Sequence, residues 1–231
     1  MNISVILPVF NEEKYIEKCL KSIQNQQIPP DEIIVVDNNC TDRTIEIAKK
    51  FKVRVVKESK QGISYARNKG FNSAKYDIIA RVDADSILPR NWIKKIKYNF
   101  TKYKIDGLTG PVVFYDFPFK TPAYAQMYLE IFKLIQNGNN TLIGPNMAIT
   151  KKIWKKVKDK VCMDNTQVHE DIDLAIHVLE ARGIIRKDDT LIANCSARRL
   201  LKHPQSFFAE YPVRTVNTVL IHQPNDFRPS R

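Results

Sequence analysis

Long apolar runs are missing from this chain of 231 residues. None approaches the roughly 20 residues needed to span a bilayer, and Met1 to Phe10 carries neither the basic region, the long apolar core nor the cleavage site of a signal peptide. The expectation is a cytoplasmic protein, soluble or peripheral at the inner face of the membrane. Cysteine is scarce as well. Cys19, Cys40, Cys162 and Cys195 stand far apart without a Cys-x-x-Cys spacing, which signals neither a zinc site nor a disulfide framework and fits a reducing compartment. Glycine-rich phosphate loops are also lacking. No Gly-x-Gly-x-x-Gly follows the first apolar run and no Gly-x4-Gly-Lys-Ser/Thr loop occurs, so neither a dinucleotide oxidoreductase nor a P-loop enzyme is supported. Repeats and low-complexity segments are missing too.

What the chain does have is a globular composition, 43% hydrophobic, in a length that suits one α/β domain. Its formal net charge of +12 predicts attraction to anions: nucleic acid, an anionic membrane surface or phosphorylated substrates. Many lysines fall on helix-like stretches, Trp92 to Lys104 and Lys151 to Lys160, where each reads singly as part of a solvated face.

Strands and helices alternate from the start. Ile3 to Pro8 is a continuous apolar run of the kind buried inside a parallel sheet, and Asn11 is placed to cap the helix that follows, with Ile16, Cys19, Leu20 and Ile23 at helical spacing. Glu32 to Val36 reads as a second strand ending at Asp37, followed by a helix from Thr41-Asp42 with Ile45, Ala48 and Phe51 on one side. Val53 to Val56 is a third strand, and Ile63 to Ala74 a helix whose Ala66 and Gly70 permit close packing on the sheet. Asp77 to Ile87 is then a buried strand opening into a loop, with Asp83 and Asp85 as hard oxygen donors suited to Mg²⁺ or Mn²⁺. On its own, Asp-x-Asp is common, and a polar turn from strand to loop is the more ordinary reading.

Beyond Pro89 come an amphipathic helix (Trp92, Ile93, Ile96, Phe100) and a strand over Gly107 to Tyr115. Phe114 to Tyr128 is aromatic-rich and suits an acceptor wall, an interfacial surface or a plain second-lobe core. His169-Glu170-Asp171-Ile172-Asp173-Leu174 opens a helix, where three acids are electrostatically favourable whatever else they do.

Pro8-Val9-Phe10-Asn11-Glu12, Val36 through Asp42, Gly62 through Gly70, Asp83-Ala84-Asp85 and Glu170-Asp171 occur in an order and spacing that resemble the family 2 glycosyltransferases over about the first 180 residues. The resemblance implies a GT-A fold: a Rossmann-like, mostly parallel central sheet flanked by helices, with a smaller acceptor-side lobe. It implies a single domain over 1–231, with a nucleotide-sugar half (1–106), an acceptor and catalytic half (107–195) and a basic C-terminal segment (196–231). The implied activity is inverting transfer of a sugar from a nucleotide-sugar to an acceptor hydroxyl, in glycan, glycolipid or cell-envelope synthesis. Within that frame Asp37 would contact the base, and Pro8, Phe10 and Glu12 would shape the nucleoside pocket. Arg67 would be the basic residue near the nucleotide. Asp83 would approach the ribose or the metal shell, Asp85 would hold Mg²⁺ or Mn²⁺, and Asp171 would be the catalytic base, with Glu170 beside it. Arg198, Arg199 or His203 would add diphosphate or metal contacts. Asn38-Asn39-Cys40 departs from the family's frequent Asp-Gly-Ser; Asn tolerates the left-handed backbone that turn uses.

The partners expected are a nucleotide-sugar, a sugar or lipid-linked acceptor, and anionic lipid in peripheral contact, with no nucleic acid. A nucleotidyltransferase would share the paired carboxylates but calls for a Gly-rich, basic loop after the first strand, which is not there. A noncatalytic nucleic-acid-binding protein would account for the charge but for none of the carboxylates.

Overall fold

The computed structural model of the chain describes residues 1–117, 121–136, 138–164, 166–202, 205 and 210–222. Its centre is a seven-stranded sheet in the order β3-β2-β1-β4-β7-β5-β8. Strands β1 (Ile3–Val9), β2 (Glu32–Asp37), β3 (Arg54–Lys57) and β4 (Ile78–Arg81) run parallel to one another. Strand β7 (Met147–Thr150) is antiparallel to both β4 and β5 (Gly107–Thr109), and β8 (Ile185–Lys187) closes the edge parallel to β5. The sheet is thus mostly parallel, as the βα rhythm predicts.

Every residue of β1 is buried, which is why its sequence is continuously apolar rather than alternating. Ile3, Val5, Leu7 and Val9 join one core cluster together with Ile16, Leu20 and Ile23 of α1 (Ile16–Gln24) and Trp92, Ile93 and Ile96 of α4 (Trp92–Lys102). Ile6 joins the other, with Ala66 and Phe71 of α3 (Ile63–Ser73), Ile153 and Trp154 of α6 (Lys151–Val157) and Leu174 and Val178 of α7 (Glu170–Glu180). Alternate residues of one strand therefore feed opposite faces. Gly70 allows α3 its approach: a Cβ there would sit 2.2 Å from Ile6 Cγ2.

Three sequence expectations are corrected. The single strand expected over Gly107 to Tyr115 breaks at Gly110-Pro111 into β5 and β6 (Val112–Phe114), and β6 leaves the main sheet to pair with β9 (Ala193–Cys195). A Cβ on Gly110 would lie 2.0 Å from the Leu191 carbonyl oxygen, so the break needs glycine. The helix expected from Thr41 is only α2 (Thr44–Ala48), and Phe51 packs against the core from beyond its end. Asn11 does not cap α1, whose N-cap is Tyr15 without a side-chain bond; it adopts a left-handed backbone (φ 54°) and reaches elsewhere.

The remaining helices are α5 (Ala123–Ile135), α8 (Arg198–Lys202) and α9 (Tyr211–Ile221). Phe132 of α5 packs with Ile172 and Ile176 of α7, and α9 also lies against α7. Among the described residues, no helix is long and apolar enough to cross a membrane.

Candidate active site

The chain passes from β1 outward to β2 and β3, then returns to the other side of β1 for β4. Such a reversal leaves a crevice at the carboxyl ends of the two diverging strands. Here it is a cleft of about 210 Å³ lined by Pro8 and Val9 at the end of β1 and Phe10 and Glu12 just past it, by Asp83, Ala84 and Asp85 after β4, and by Asn38, Gln61, Ile63, Ala66 and Arg198.

Local hydrogen bonds fix the rim. The Asn11 side-chain oxygen accepts the Thr41 N–H at 2.8 Å, and the Glu12 N–H donates to Thr44 Oγ1 at 2.6 Å, so the loops after β1 and β2 are tied together. Asp37 sits at the end of β2 and folds back on its own turn, accepting the Cys40 N–H at 2.9 Å; the cleft wall at this turn is Asn38. In the sequence Asn38 stood out only as part of the Asn38-Asn39-Cys40 departure, not as a site residue. Its amide donates to the Glu58 and Lys60 carbonyls while its oxygen accepts the Gly62 N–H at 2.9 Å, holding the entry to α3. Asn39 takes the left-handed backbone (φ 68°) that the Asn-rich turn foresaw.

Arg198 reaches into the cleft from the start of α8. Its Nε donates to Asp85 Oδ2 at 2.9 Å, its Nη2 pairs with Glu12, and its guanidinium stacks 4.3 Å from the Tyr15 ring centroid. Burial works against its charge, but Glu12 and Asp85 outweigh that and hold it protonated. The Arg199 side chain and His203 lie outside the described residues.

Behind the cleft lies a buried ionic network. Arg67, expected near the nucleotide, is fully buried and absent from the cleft wall; its Nη1 pairs with the Glu170 carboxylate and also donates to the Glu170 carbonyl at 2.5 Å. The reason is its position on the inward face of α3, beside Ala66 and Gly70, where a guanidinium needs a buried partner. Arg81, the last residue of β4, grips the other oxygen of Glu170 and also donates to Asp83 Oδ1 at 3.2 Å. Its burial is offset by Glu170 and Asp83, which keep it charged. Arg81 escaped the sequence reading, although a lone arginine inside Ile-Ile-Ala-Arg-Val was the available signal. Gly144 packs against it, since a Cβ there would meet Arg81 Nη2 at 2.9 Å.

Asp171 is 7% exposed and is not among the residues lining the cleft. Its Oδ2 accepts the Gly144 N–H at 2.8 Å, and its Oδ1 accepts the Ile172 N–H at 3.0 Å and contacts His169 Nδ1. Burial alone would raise its pKa, but the His169, Arg81 and Gly144 interactions hold it well below the usual carboxylate range. His169 is shifted the other way: burial lowers it, and the Asp171 carboxylate more than restores it. The network thus joins the Asp83-Ala84-Asp85 turn to the Glu170-Asp171 helix start through one residue, Arg81.

The donor set in the cleft fits a divalent ion. Asp83, Asp85 and Glu12 offer only oxygens, Glu12 Oε2 is buried without a hydrogen-bond partner among the described residues, and a guanidinium already stands as a cation against Asp85 and Glu12.

Among proteins of known sequence, the chain is 35% identical over 120 residues to glycosyltransferase GlyG of Streptococcus pneumoniae, covering 49% of this chain and 40% of that protein. It is 33% identical over 171 residues to an uncharacterized glycosyltransferase of Methanocaldococcus jannaschii, covering 68% and 58% respectively. The matches therefore span less than two thirds of either relative. Glucosyl-3-phosphoglycerate synthase from Mycobacterium tuberculosis, solved in complex with Mn²⁺, UDP and phosphoglyceric acid, superposes with a TM-score of 0.70 at 19% identity, over 97% of this chain and 80% of that one. At that identity the likeness speaks for the fold, which is GT-A. Residues 4–158 match the model of glycosyl transferase family 2, and with the cleft, the paired aspartates and the sheet order in agreement, the chain belongs to that family.

Proposed function

We propose that this chain transfers a sugar from a nucleotide-sugar donor to an acceptor hydroxyl, inverting the anomeric carbon, with a divalent ion held at Asp85 and Asp83. The observation that carries this reading is the cleft itself: apolar Pro8, Val9 and Phe10 share its lining with three carboxylates and Arg198, at the strand-order reversal. The apolar residues suit a nucleoside, and Asn38, held in the turn that Asp37 closes, would face its base. An all-oxygen donor set suits Mg²⁺ or Mn²⁺, which when bound offsets charge developing on the diphosphate. Arg198 presents N–H donors to the same oxygens, a geometry arginine offers to phosphate more readily than lysine does.

In the transfer, the acceptor oxygen forms its bond to the anomeric carbon as the bond from that carbon to the diphosphate oxygen breaks. The electron pair leaves with the nucleoside diphosphate, and the acceptor's proton passes to Asp171. His169 in contact with Asp171 keeps that carboxylate ionised, and the Gly144 and Ile172 N–H groups fix its orientation. Outward-facing Met127, Ile131 and Leu134 on α5, and Val213, Val216 and Leu220 on α9, are all about half exposed or more and favour a lipid-linked acceptor or contact with a membrane surface.

Thermal unfolding in the presence of UDP, GDP and their sugar conjugates, with and without Mn²⁺, tests the reading. A ligand at 100 times its Kd adds about 2.7 kcal/mol to the native state, so the matching nucleotide should raise the Tm, and more so with Mn²⁺. Failure of every nucleoside diphosphate to do so with the metal present would overturn it.

A further inference from the structure

A second cluster lies on α7 away from the cleft. Asp173 and His177, one helical turn apart, face His222 just past the end of α9, and the three ligand atoms lie within 4.8 Å of one another. We propose that Asp173, His177 and His222 form a Zn²⁺ site that clamps the C-terminal helix α9 to α7.

The hydrogen-bond pattern leads to this assignment. His177 Nδ1 is 2.8 Å from Glu180 Oε2, and a carboxylate only accepts, so Nδ1 carries the proton of the neutral ring. Its Nε2 then presents a lone pair, in a residue only 7% exposed, and that atom has no hydrogen-bond partner among the described residues. It points at Asp173 Oδ1, 3.6 Å away, which is another acceptor. Two lone pairs facing each other in a buried place call for a cation between them. His222 Nε2 supplies the third donor atom, 2.8 Å from the same Asp173 oxygen.

Distances and supporting bonds agree. Two ligands of a tetrahedral Zn²⁺ at 2.0–2.1 Å stand about 3.3 Å apart; the Asp173 oxygen stands 3.6 Å from His177, near that value, and 2.8 Å from His222, a hydrogen bond that must lengthen when the ion replaces its proton. The other Asp173 oxygen is occupied by the Cys162 N–H at 2.9 Å, which leaves Oδ1 to face the ion. Glu180 orients His177 from behind, the arrangement that fixes the tautomer and raises the basicity of a ligating imidazole. On loading, His222 gives up the Nε2 proton it donates to Asp173 and carries its proton on Nδ1.

Ligand chemistry separates this site from the cleft. Imidazole nitrogens select Zn²⁺ over Mg²⁺, whereas the Glu12, Asp83 and Asp85 oxygens suit the harder ions. Cysteine spacing gave no hint of zinc because no cysteine is among the ligands; the signal was a His four residues after an Asp on one helix face. Mechanically, α9 is otherwise tied to α7 by the bond from the His169 N–H to Thr218 Oγ1 at 2.7 Å, near the start of α7. The proposed ion sits about one turn further along both helices, at Asp173 and His177 of α7 and at His222 past the end of α9, and would add a second tie beside that bond.

The experiment uses the full chain without an affinity tag, stripped with a chelator and titrated with Zn²⁺ by calorimetry and with Co²⁺ by visible absorption. The expected result is one equivalent of Zn²⁺ bound, a rise in Tm, and the intense d–d bands of four-coordinate Co²⁺. His177→Gln and His222→Gln should each abolish the bands. Glu180→Gln, at a partly exposed position that leaves the fold intact, should weaken Zn²⁺ affinity by about 10- to 100-fold. Asp85→Asn should change none of this. Absence of a Zn²⁺ equivalent, unchanged affinity in Glu180→Gln, or bands that vanish in Asp85→Asn but persist in the histidine variants would overturn the proposal.

Discussion

Two groups of carboxylates and arginines meet at the end of β4, made of the same chemical parts and put to different uses. In the cleft, Glu12, Asp85 and Arg198 hold each other at the mouth of an open space. Behind it, Arg67, Arg81 and Glu170 are locked together with almost no solvent contact. Asp83 touches both, through the cleft wall and through Arg81. The arginines make the difference: the Asp85 and Glu170 side chains are alike at 10% exposed, but Arg198 keeps 19% of its side chain in solvent where Arg67 and Arg81 keep 0% and 4%. A partly solvated ion pair costs little to open and can exchange a guanidinium for a ligand, whereas a buried one is held because neither charge survives alone. The open group is suited to binding and the closed group to holding the loop after β4 against α7.

Breaking the closed group should have the largest effect. Glu170→Ala leaves two buried guanidinium groups without their shared carboxylate, and removal of one partner from a buried pair costs about 3–5 kcal/mol. Denaturant unfolding should show that loss, and nucleotide binding should fall with it because Arg81 no longer positions Asp83. If Glu170→Ala unfolds within about 1 kcal/mol of the native chain, the network is not the brace described here.

Asp171 sits at the border of the closed group, and its replacement separates chemistry from binding. Asp171→Asn keeps size and polarity but cannot take the acceptor's proton, so kcat should drop by about 10²-fold or more while donor affinity barely moves. A mere helix-start role predicts instead a loss of stability of about 0.3–2 kcal/mol with turnover per folded molecule intact.

Opening the cleft group should do less to the fold and more to ligands. Asp85→Ala should weaken nucleoside diphosphate and Mn²⁺ together, and calorimetry showing both unchanged would remove Asp85 from the site. Arg198→Ala sharpens the contrast because its two consequences have opposite signs. Without the competing guanidinium, Mn²⁺ alone should bind about fivefold more tightly, within the roughly 1 kcal/mol of a partly exposed ion pair. The nucleoside diphosphate should bind more weakly, having lost its arginine donors.

Much of the open group was legible in the sequence. Pro8, Phe10, Glu12, Asp83 and Asp85 all line the cleft, because residues just past the ends of neighbouring parallel strands must converge wherever the strand order reverses. Arg198 was placed among three alternatives in the C-terminal segment, since nothing local in the sequence says which arginine folds back more than a hundred residues to reach Asp85. The closed group was harder to read. Arg67 and Glu170 were visible as motif residues, but a motif shows neither which way a side chain points nor that the two are partners. That pairing depends on α3 and α7 flanking β4 and β7 on one face of the sheet, a tertiary fact. The split of Gly107 to Tyr115 was hidden for the same reason, as only the Leu191 carbonyl lying against Gly110 shows why the run must break.

The smallest effect expected is on pH dependence, and it probes the link between the two groups. The Asp171 pKa is lowered in the fold, so its contribution to stability is complete above the unfolded carboxylate value of about 3.9 and is lost as pH falls through the folded one. The His169 pKa is raised, chiefly by Asp171 acting against burial, so its contribution is complete below the unfolded value of about 6.5 and is lost as pH rises through the folded one. His222 behaves likewise, raised by its bond to Asp173. Stability should therefore be highest between about pH 4 and 6.5 and should decline by an amount on the order of 1 kcal/mol toward pH 9. Urea unfolding of metal-free protein at pH 6 and pH 9 measures this. His169→Gln should remove part of the decline, and a further His222→Gln most of the rest. A slope unchanged in the double variant would mean that the α7 histidine contacts do not set it, and that Asp171 holds its charge without help from His169.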